Sequence, residues 1–96
     1  LEGHLITPEG EGWKLTDAGE TELSGGFPVN PSGGVLSSNP IGASGLIRCL
    51  EAANQVRATA GDYQVDGAKV ALGHAYGGAA QYFAMWIVSS ELSPDF

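Results

Sequence analysis

Residues 69–89 read KVALGHAYGGAAQYFAMWIVS, and the shape of the chain turns on how this stretch is parsed. From Val70 to Val88 there are 19 residues without Asp, Glu, Lys or Arg, which as a helix would come close to spanning a bilayer. The middle of the stretch argues against a span, because His74, Tyr76, Gly77, Gly78 and Gln81 stand where it should be most apolar. Two short strands separated by glycine fit better. Lys69–Gly73 makes the first, HAYGG the turn, and Ala80–Ser89 the second, in which aromatic and β-branched residues concentrate. Apolar residues on both alternate sets of the second strand predict that it is covered on both faces.

Working back from the hairpin, residues 43–61 carry a helical period. Leu46, Leu50, Ala53, Val56 and Ala60 recur at intervals of three and four, with Arg48, Glu51, Gln55 and Thr59 on other faces. Ala43 or Ser44 opens this helix and Gly61 closes it. Before it, PVNPSGGVLSSNPI (Pro28–Ile41) holds three prolines and two glycines around a short extended Val35–Leu36 piece, so its backbone is fixed without being regular. Residues 1–27 read as an acidic irregular lead-in broken by Gly3, Gly10, Gly12, Gly19, Gly25 and Gly26, and residues 28–96 as the structured segment.

Composition sets bounds on function. The 96 residues are 43% hydrophobic and 16% charged, which is globular, and glycine reaches 15, about twice average usage. Of the net charge of −7, residues 1–24 hold −5 and residues 25–96 hold −2. Four scattered cations cannot form the basic stripe that a nucleic-acid partner requires, nor one for an anionic membrane. The single Cys49 leaves no internal disulfide and no cysteine-rich zinc site, and no metal ligand set is expected. Acids and a histidine stand where a signal peptide would be cationic and then apolar, so a cytoplasmic location is expected. So short a chain hides little surface, which fits a piece of a larger assembly.

Two segments hold residues suited to chemistry. In SSNPIGASG (Ser37–Gly45), Asn39 precedes a proline that restricts it to extended backbone, just ahead of a helix N-terminus. Its amide is either a fixed donor to an oxyanion or the capping group of an Asx turn. In GHAYGG (Gly73–Gly78), His74 is a candidate general acid or base, and Gly77 and Gly78 let a ligand approach the backbone. Tyr76 either offers its hydroxyl to a substrate or packs as a lid. Cys49 reads as a small core residue. His4 takes no role, and Ser37, Ser38 and Ser44 lack the elbow of a serine hydrolase.

Taken in order, NPSGG, the SNP corner before a glycine-rich helix start, and an apolar strand GAKVAL leading to a histidine and glycines resemble the C-terminal part of the thiolase superfamily, from about Phe27 to Glu91. The sterol carrier protein thiolases and their bacterial and archaeal relatives are nearest. The resemblance implies an α/β fold, a helix packed on a mixed sheet that ends in a β-hairpin, incomplete as an isolated domain. It also implies a coenzyme A thioester as substrate, with no covalently bound cofactor, and Claisen condensation or thiolysis as the reaction. The family's Gly-His-Pro corner matches Ser38, Asn39 and Pro40, with Asn39 as oxyanion donor and Ser38 and the glycines Gly77 and Gly78 beside the substrate. Its Cys-x-Gly motif matches His74, Ala75 and Tyr76, with His74 as the proton-transfer group. Tyr76 keeps the backbone N–H that the family's glycine offers to a second oxyanion hole, while restricting the backbone.

The family's nucleophilic cysteine and its Asn-Glu-Ala-Phe or His-Asp-Cys-Phe type motif are not among these 96 residues, and Cys49 matches a helix position. The expected partner is therefore the remaining thiolase polypeptide or a second subunit, in a homo- or hetero-oligomer. Two rivals stand beside this. One is a thiolase-like retro-aldol lyase working through Tyr76 with a zinc-ribbon/OB partner. The other is a module that binds coenzyme A derivatives or completes a fold without turnover.

Overall fold

The structure, a computed structural model, describes residues 1–92; the last four residues of the 28–96 segment lie outside the described residues. Four regular elements succeed one another: α1 (Gly12–Asp17), α2 (Ser44–Val56), β1 (Val70–Gly77) and β2 (Tyr82–Ser89). Single 3-10 turns occupy Glu2–His4, Gly34–Leu36, Ile41–Ala43 and Gly61–Tyr63. The α/β class holds, and the sheet among the described residues is the terminal hairpin alone, β1 antiparallel to β2, rather than a mixed sheet.

The strands meet in the register Val70↔Ser89 through Gly77↔Tyr82. The first strand therefore runs four residues past its expected end at Gly73, and the turn begins at Gly78. Leu72, His74 and Tyr76 oppose Ile87, Met85 and Phe83, so the ladder continues as long as large residues face each other across it. It stops where Gly78 and Ala80 turn to positive φ (64° and 62°) and Gln81 N–H closes the loop on the Gly77 carbonyl at 3.2 Å.

The helix α2 lies against β1 and, less closely, β2. Its start agrees with the sequence, with Ala43 as cap and Ser44 as first residue, but its end comes earlier than Gly61. Ala58 takes the left-handed conformation (φ 58°), its N–H bonds the Gln55 carbonyl at 3.1 Å, and Thr59 N–H bonds the Asn54 carbonyl at 2.9 Å. These two bonds are the Schellman arrangement, formed here on alanine in the place glycine usually fills. Gly61 instead opens the following 3-10 turn.

The face that α2 presents to the hairpin is not its leucine stripe. Gly45 approaches so closely that an added Cβ would touch Ala75 Cβ at 3.4 Å. Ala52 and Gln55 are buried, while Leu46 and Leu50 are 67% and 52% exposed. Small residues at 45 and 52 let helix and strand backbones approach. Gln55, expected on another face, is buried because both ends of its amide are used: Nε2 donates to the Tyr63 carbonyl at 2.7 Å and Oε1 accepts from Val65 N–H at 2.9 Å. Gln64 returns the arrangement, accepting from Ala60 N–H and donating to the Gln55 and Val65 carbonyls, each at 3.0 Å. Side-chain amides thus satisfy the backbone of the 57–68 connection.

The lead-in holds more order than expected. Glu2 accepts Gly12 N–H at 2.9 Å, which ties the first 3-10 turn to the start of α1. Hydrogen bonds from the backbone of Gly10 and Gly12 hold the Glu2 carboxyl below its ordinary pKa. The Val35–Leu36 piece, expected to be extended, lies in a 3-10 turn, since Gly33 and Gly34 enter it with positive φ (94° and 59°).

Candidate functional site

The corner before α2 is built on the NPSGG loop. Gly33 N–H closes on the Asn30 carbonyl at 2.8 Å, and Ser37 Oγ donates to the Gly34 and Ser32 carbonyls at 3.0 and 3.3 Å. Ser32 Oγ in turn donates to Glu51 Oε1 at 2.8 Å, pinning the loop to the second turn of α2. Beyond it Ser38 and Asn39 are exposed, and Ile41 turns through a positive φ of 49° into the 3-10 turn that runs on into α2. Asn39 is thus presented on a braced corner. Ser38 lies with Gly34, Pro40, Ser44, Arg48 and Glu51 around a concavity of about 20 Å³, room for a water and nothing larger.

His74 does not end its strand; it is the fifth of eight residues in β1. Alternation divides the hairpin. Ala71, Gly73, Ala75, Trp86 and Val88 are the more covered set, on the α2 side, while Val70, Leu72, Tyr76, Phe83, Met85 and Ile87 are exposed. His74 belongs to the second face and is half-buried there. Its imidazole stacks on Phe83 (centroids 5.8 Å apart, planes at 18°) and meets the ring of His4 edge-on (5.0 Å, 78°). The second strand, expected to be covered on both faces, is covered on one: Phe83 is 64% and Ile87 70% exposed.

Tyr76 is exposed two residues further along the same face, Gly77 ends the strand, and Gly78 begins the turn with positive φ. The corner and the strand are joined by a residue the sequence did not single out. Arg48 lines the small concavity with Ser38 and Pro40, donates from Nη1 to the His74 carbonyl at 3.0 Å, and holds its guanidinium carbon 5.6 Å from the Tyr76 ring centroid. Its signal was available in the spacing 45, 48, 52, 55, a helical face made of two small residues and two with amide or guanidinium donors. His4 is the second missed residue, and nothing in its local sequence marks it, because its contact with His74 is made only in three dimensions. Cys49 is half-buried on α2.

A larger open concavity, about 390 Å³, lies in the lead-in between Glu2, Gly12, Trp13 and Thr16, and holds none of the expected site residues. Among the described residues no helix is long and apolar enough to cross a membrane, and no three His, Cys, Asp or Glu side chains gather where they could share a metal ion.

Comparison with known proteins places the chain. Residues 1–90 match the profile of the family described as Thiolase C-terminal domain-like. Sterol carrier protein 2 of Rattus norvegicus is 49% identical over 78 residues, covering 78% of this chain and 14% of that protein. Acetyl-CoA acetyltransferase of Methanothermobacter thermautotrophicus is 39% identical over 82 residues (84% and 21%), and non-specific lipid-transfer protein-like 2 of Caenorhabditis elegans is 38% identical over 73 residues (75% and 18%). The chain therefore spans about a seventh to a fifth of the length of these relatives.

Proposed function

The chain belongs to the thiolase C-terminal domain-like family, and from that premise we propose that it supplies the oxyanion donor and the proton-transfer group of an enzyme that makes or cleaves a carbon–carbon bond in acyl-CoA thioesters. The nucleophilic cysteine comes from polypeptide outside these residues. That same polypeptide covers Leu46 and Leu50 of α2 and the open face of the hairpin. The observation that carries the reading is His74, its imidazole half-exposed on the hairpin's open face and its backbone carbonyl bound by Arg48, which also lines the concavity with Ser38 and Pro40 on either side of Asn39.

In the condensing direction, the imidazole of His74 takes a proton from the α-carbon of one acyl-CoA. The resulting enolate attacks the acyl carbonyl on the cysteine; the new carbon–carbon bond forms as the carbon–sulfur bond breaks and the thiolate leaves. The Asn39 amide donates to the oxygen on which negative charge builds, and Ser38, Gly77 and Gly78 border the substrate. In the reverse direction His74 returns the proton to the α-carbon. A donor aimed at a developing oxyanion contributes about 3–4 kcal/mol, and a positioned proton-transfer group about 10²–10⁴ in rate.

The assay is thiolysis or condensation of a short acyl-CoA by the assembled protein. His74→Ala should lower kcat by about 10²–10⁴ and Asn39→Ala by about 10²–10³. Unchanged rates in both would sink the assignment. A retro-aldol reading has one observation in its favour, the exposed Tyr76 beside His74 on the open face. Loss of aldol cleavage in Tyr76→Phe, with no acylated cysteine detected by intact mass, would select it. A covalent acyl adduct in the same mass measurement would exclude a module without turnover.

A further inference from the structure

We propose that His4 is a positioning residue for His74, fixing the orientation of its imidazole from the open side of the hairpin. The catalytic consequence rests on the reading of His74 given above. The last torsion of a histidine side chain is broad and nearly two-fold, so its own geometry does not decide where the ring nitrogens point. Neighbours must decide it. Phe83 fixes the plane by stacking at 18°, and the His4 ring, at 78° and 5.0 Å, closes an edge. Both separations fall in the range of about 4.5–7 Å that aromatic pairs favour.

His4 is itself held in place. It ends the Glu2–His4 turn, which Glu2 anchors by accepting Gly12 N–H at 2.9 Å. Leu5 then reverses the chain with φ 58° and bonds the Glu2 carbonyl through its N–H at 2.9 Å. The lead-in thereby acquires a purpose that its acidic, glycine-broken sequence does not suggest, which is to bring one imidazole to bear on another far along the chain. His4 is the better residue to vary, because Phe83 also pairs with Tyr76 across the ladder.

The test uses the assembled protein labelled with ¹³Cε1-histidine. In His4→Ala the His74 Cε1–Hε1 resonance should move as the neighbouring ring is lost, and kcat should fall about tenfold with KM unchanged, short of the roughly hundredfold that a 1 Å misplacement can cost. His4→Phe keeps an aromatic edge and should restore both. A His74 resonance that stays in place in His4→Ala overturns the proposal, and so does a loss of kcat that His4→Phe fails to restore. With His74→Ala inactive, an undisturbed kcat in His4→Ala also overturns it. If His74→Ala is fully active, the acid–base reading falls by itself, and the resonance alone decides whether His4 orients the ring.

Discussion

The two faces of one hairpin are built to different rules. Toward α2 stand Ala71, Gly73 and Ala75, small enough for the helix to approach, with the single large Trp86 laid over Gly73. Away from α2 stand Leu72, His74, Tyr76, Phe83, Met85 and Ile87, larger and mostly exposed. The face with little side-chain volume organises the fold within this chain. The face with the volume, and with the residues suited to chemistry, is met among the described residues by the edge of His4 on His74 and by the Arg48 guanidinium near the Tyr76 ring, and is otherwise mostly exposed. Covering an apolar side chain is worth about 1.5–3 kcal/mol, so the open face holds stabilisation that this chain alone leaves unused.

The sharpest way to break that contrast is at Gly73. A Cβ there would overlap the Trp86 indole, its opposite in the register. Gly73→Ala must push the indole off the covered face or part the strands, and overpacking of this kind costs about 3 kcal/mol. A drop of that size in the free energy of unfolding by urea, read by tryptophan fluorescence, is expected. A change below about 0.5 kcal/mol, the range of ordinary surface substitutions, would mean the covered face is not tightly packed.

Next in size is Gln55, which ties α2 to the connection that leads into the hairpin. Removing its amide leaves the Tyr63 carbonyl and the Val65 N–H without partners, and unpaired buried groups cost about 1–3 kcal/mol. Gln55→Ala should therefore destabilise the protein by about 2 kcal/mol, with hydrogen exchange accelerated first at Val65. Exchange at Val65 no faster than before would show that the amide is not what fixes the 57–68 connection.

These two sites show what could be read from the sequence. The hairpin, the helix and its first residue were legible, because a two-residue alternation and a three-to-four-residue period leave marks in any chain. The corner at Asn39 and the candidate at His74 were legible from a proline, a histidine and their glycines. The buried side of α2 was not. Leu46 and Leu50 of the apolar period stay largely exposed among the described residues, while the buried positions are Ala52 and Gln55, beside the close approach at Gly45, which hydrophobic periodicity does not count. The expected strand end failed for a related reason: glycines at 73 and 77 look like breaks, yet Gly73 is a packing position beneath Trp86 and only Gly78 turns the chain. Arg48 and His4 meet His74 across long sequence separations; the helical spacing 45, 48, 52, 55 holds a trace of the first, and no local pattern marks the second.

A gain in stability tests the helix that lies on the covered face. Ala58 occupies the left-handed position of the Schellman end with a Cβ that this conformation disfavours, at a cost of about 1–2 kcal/mol. Ala58→Gly removes that strain while making the unfolded chain more flexible. A net rise of about 1 kcal/mol is expected from the difference. A fall in stability would mean that α2 does not end at this residue.

The effect expected to be smallest in this chain by itself decides the comparison from its other side. Ile87 is 70% exposed on the open face, and threonine keeps the β-branch that suits a strand. In this chain by itself Ile87→Thr exchanges one water-exposed surface for another, so unfolding in urea should change by less than about 0.5 kcal/mol. In the assembled protein, where the open face is proposed to be covered, the same substitution places a hydroxyl against apolar surroundings and should cost about 1–3 kcal/mol. Equal small effects in both would mean that the face remains in water after assembly. Equal large effects would mean that the chain already covers it, and the difference between the two faces of the hairpin would disappear.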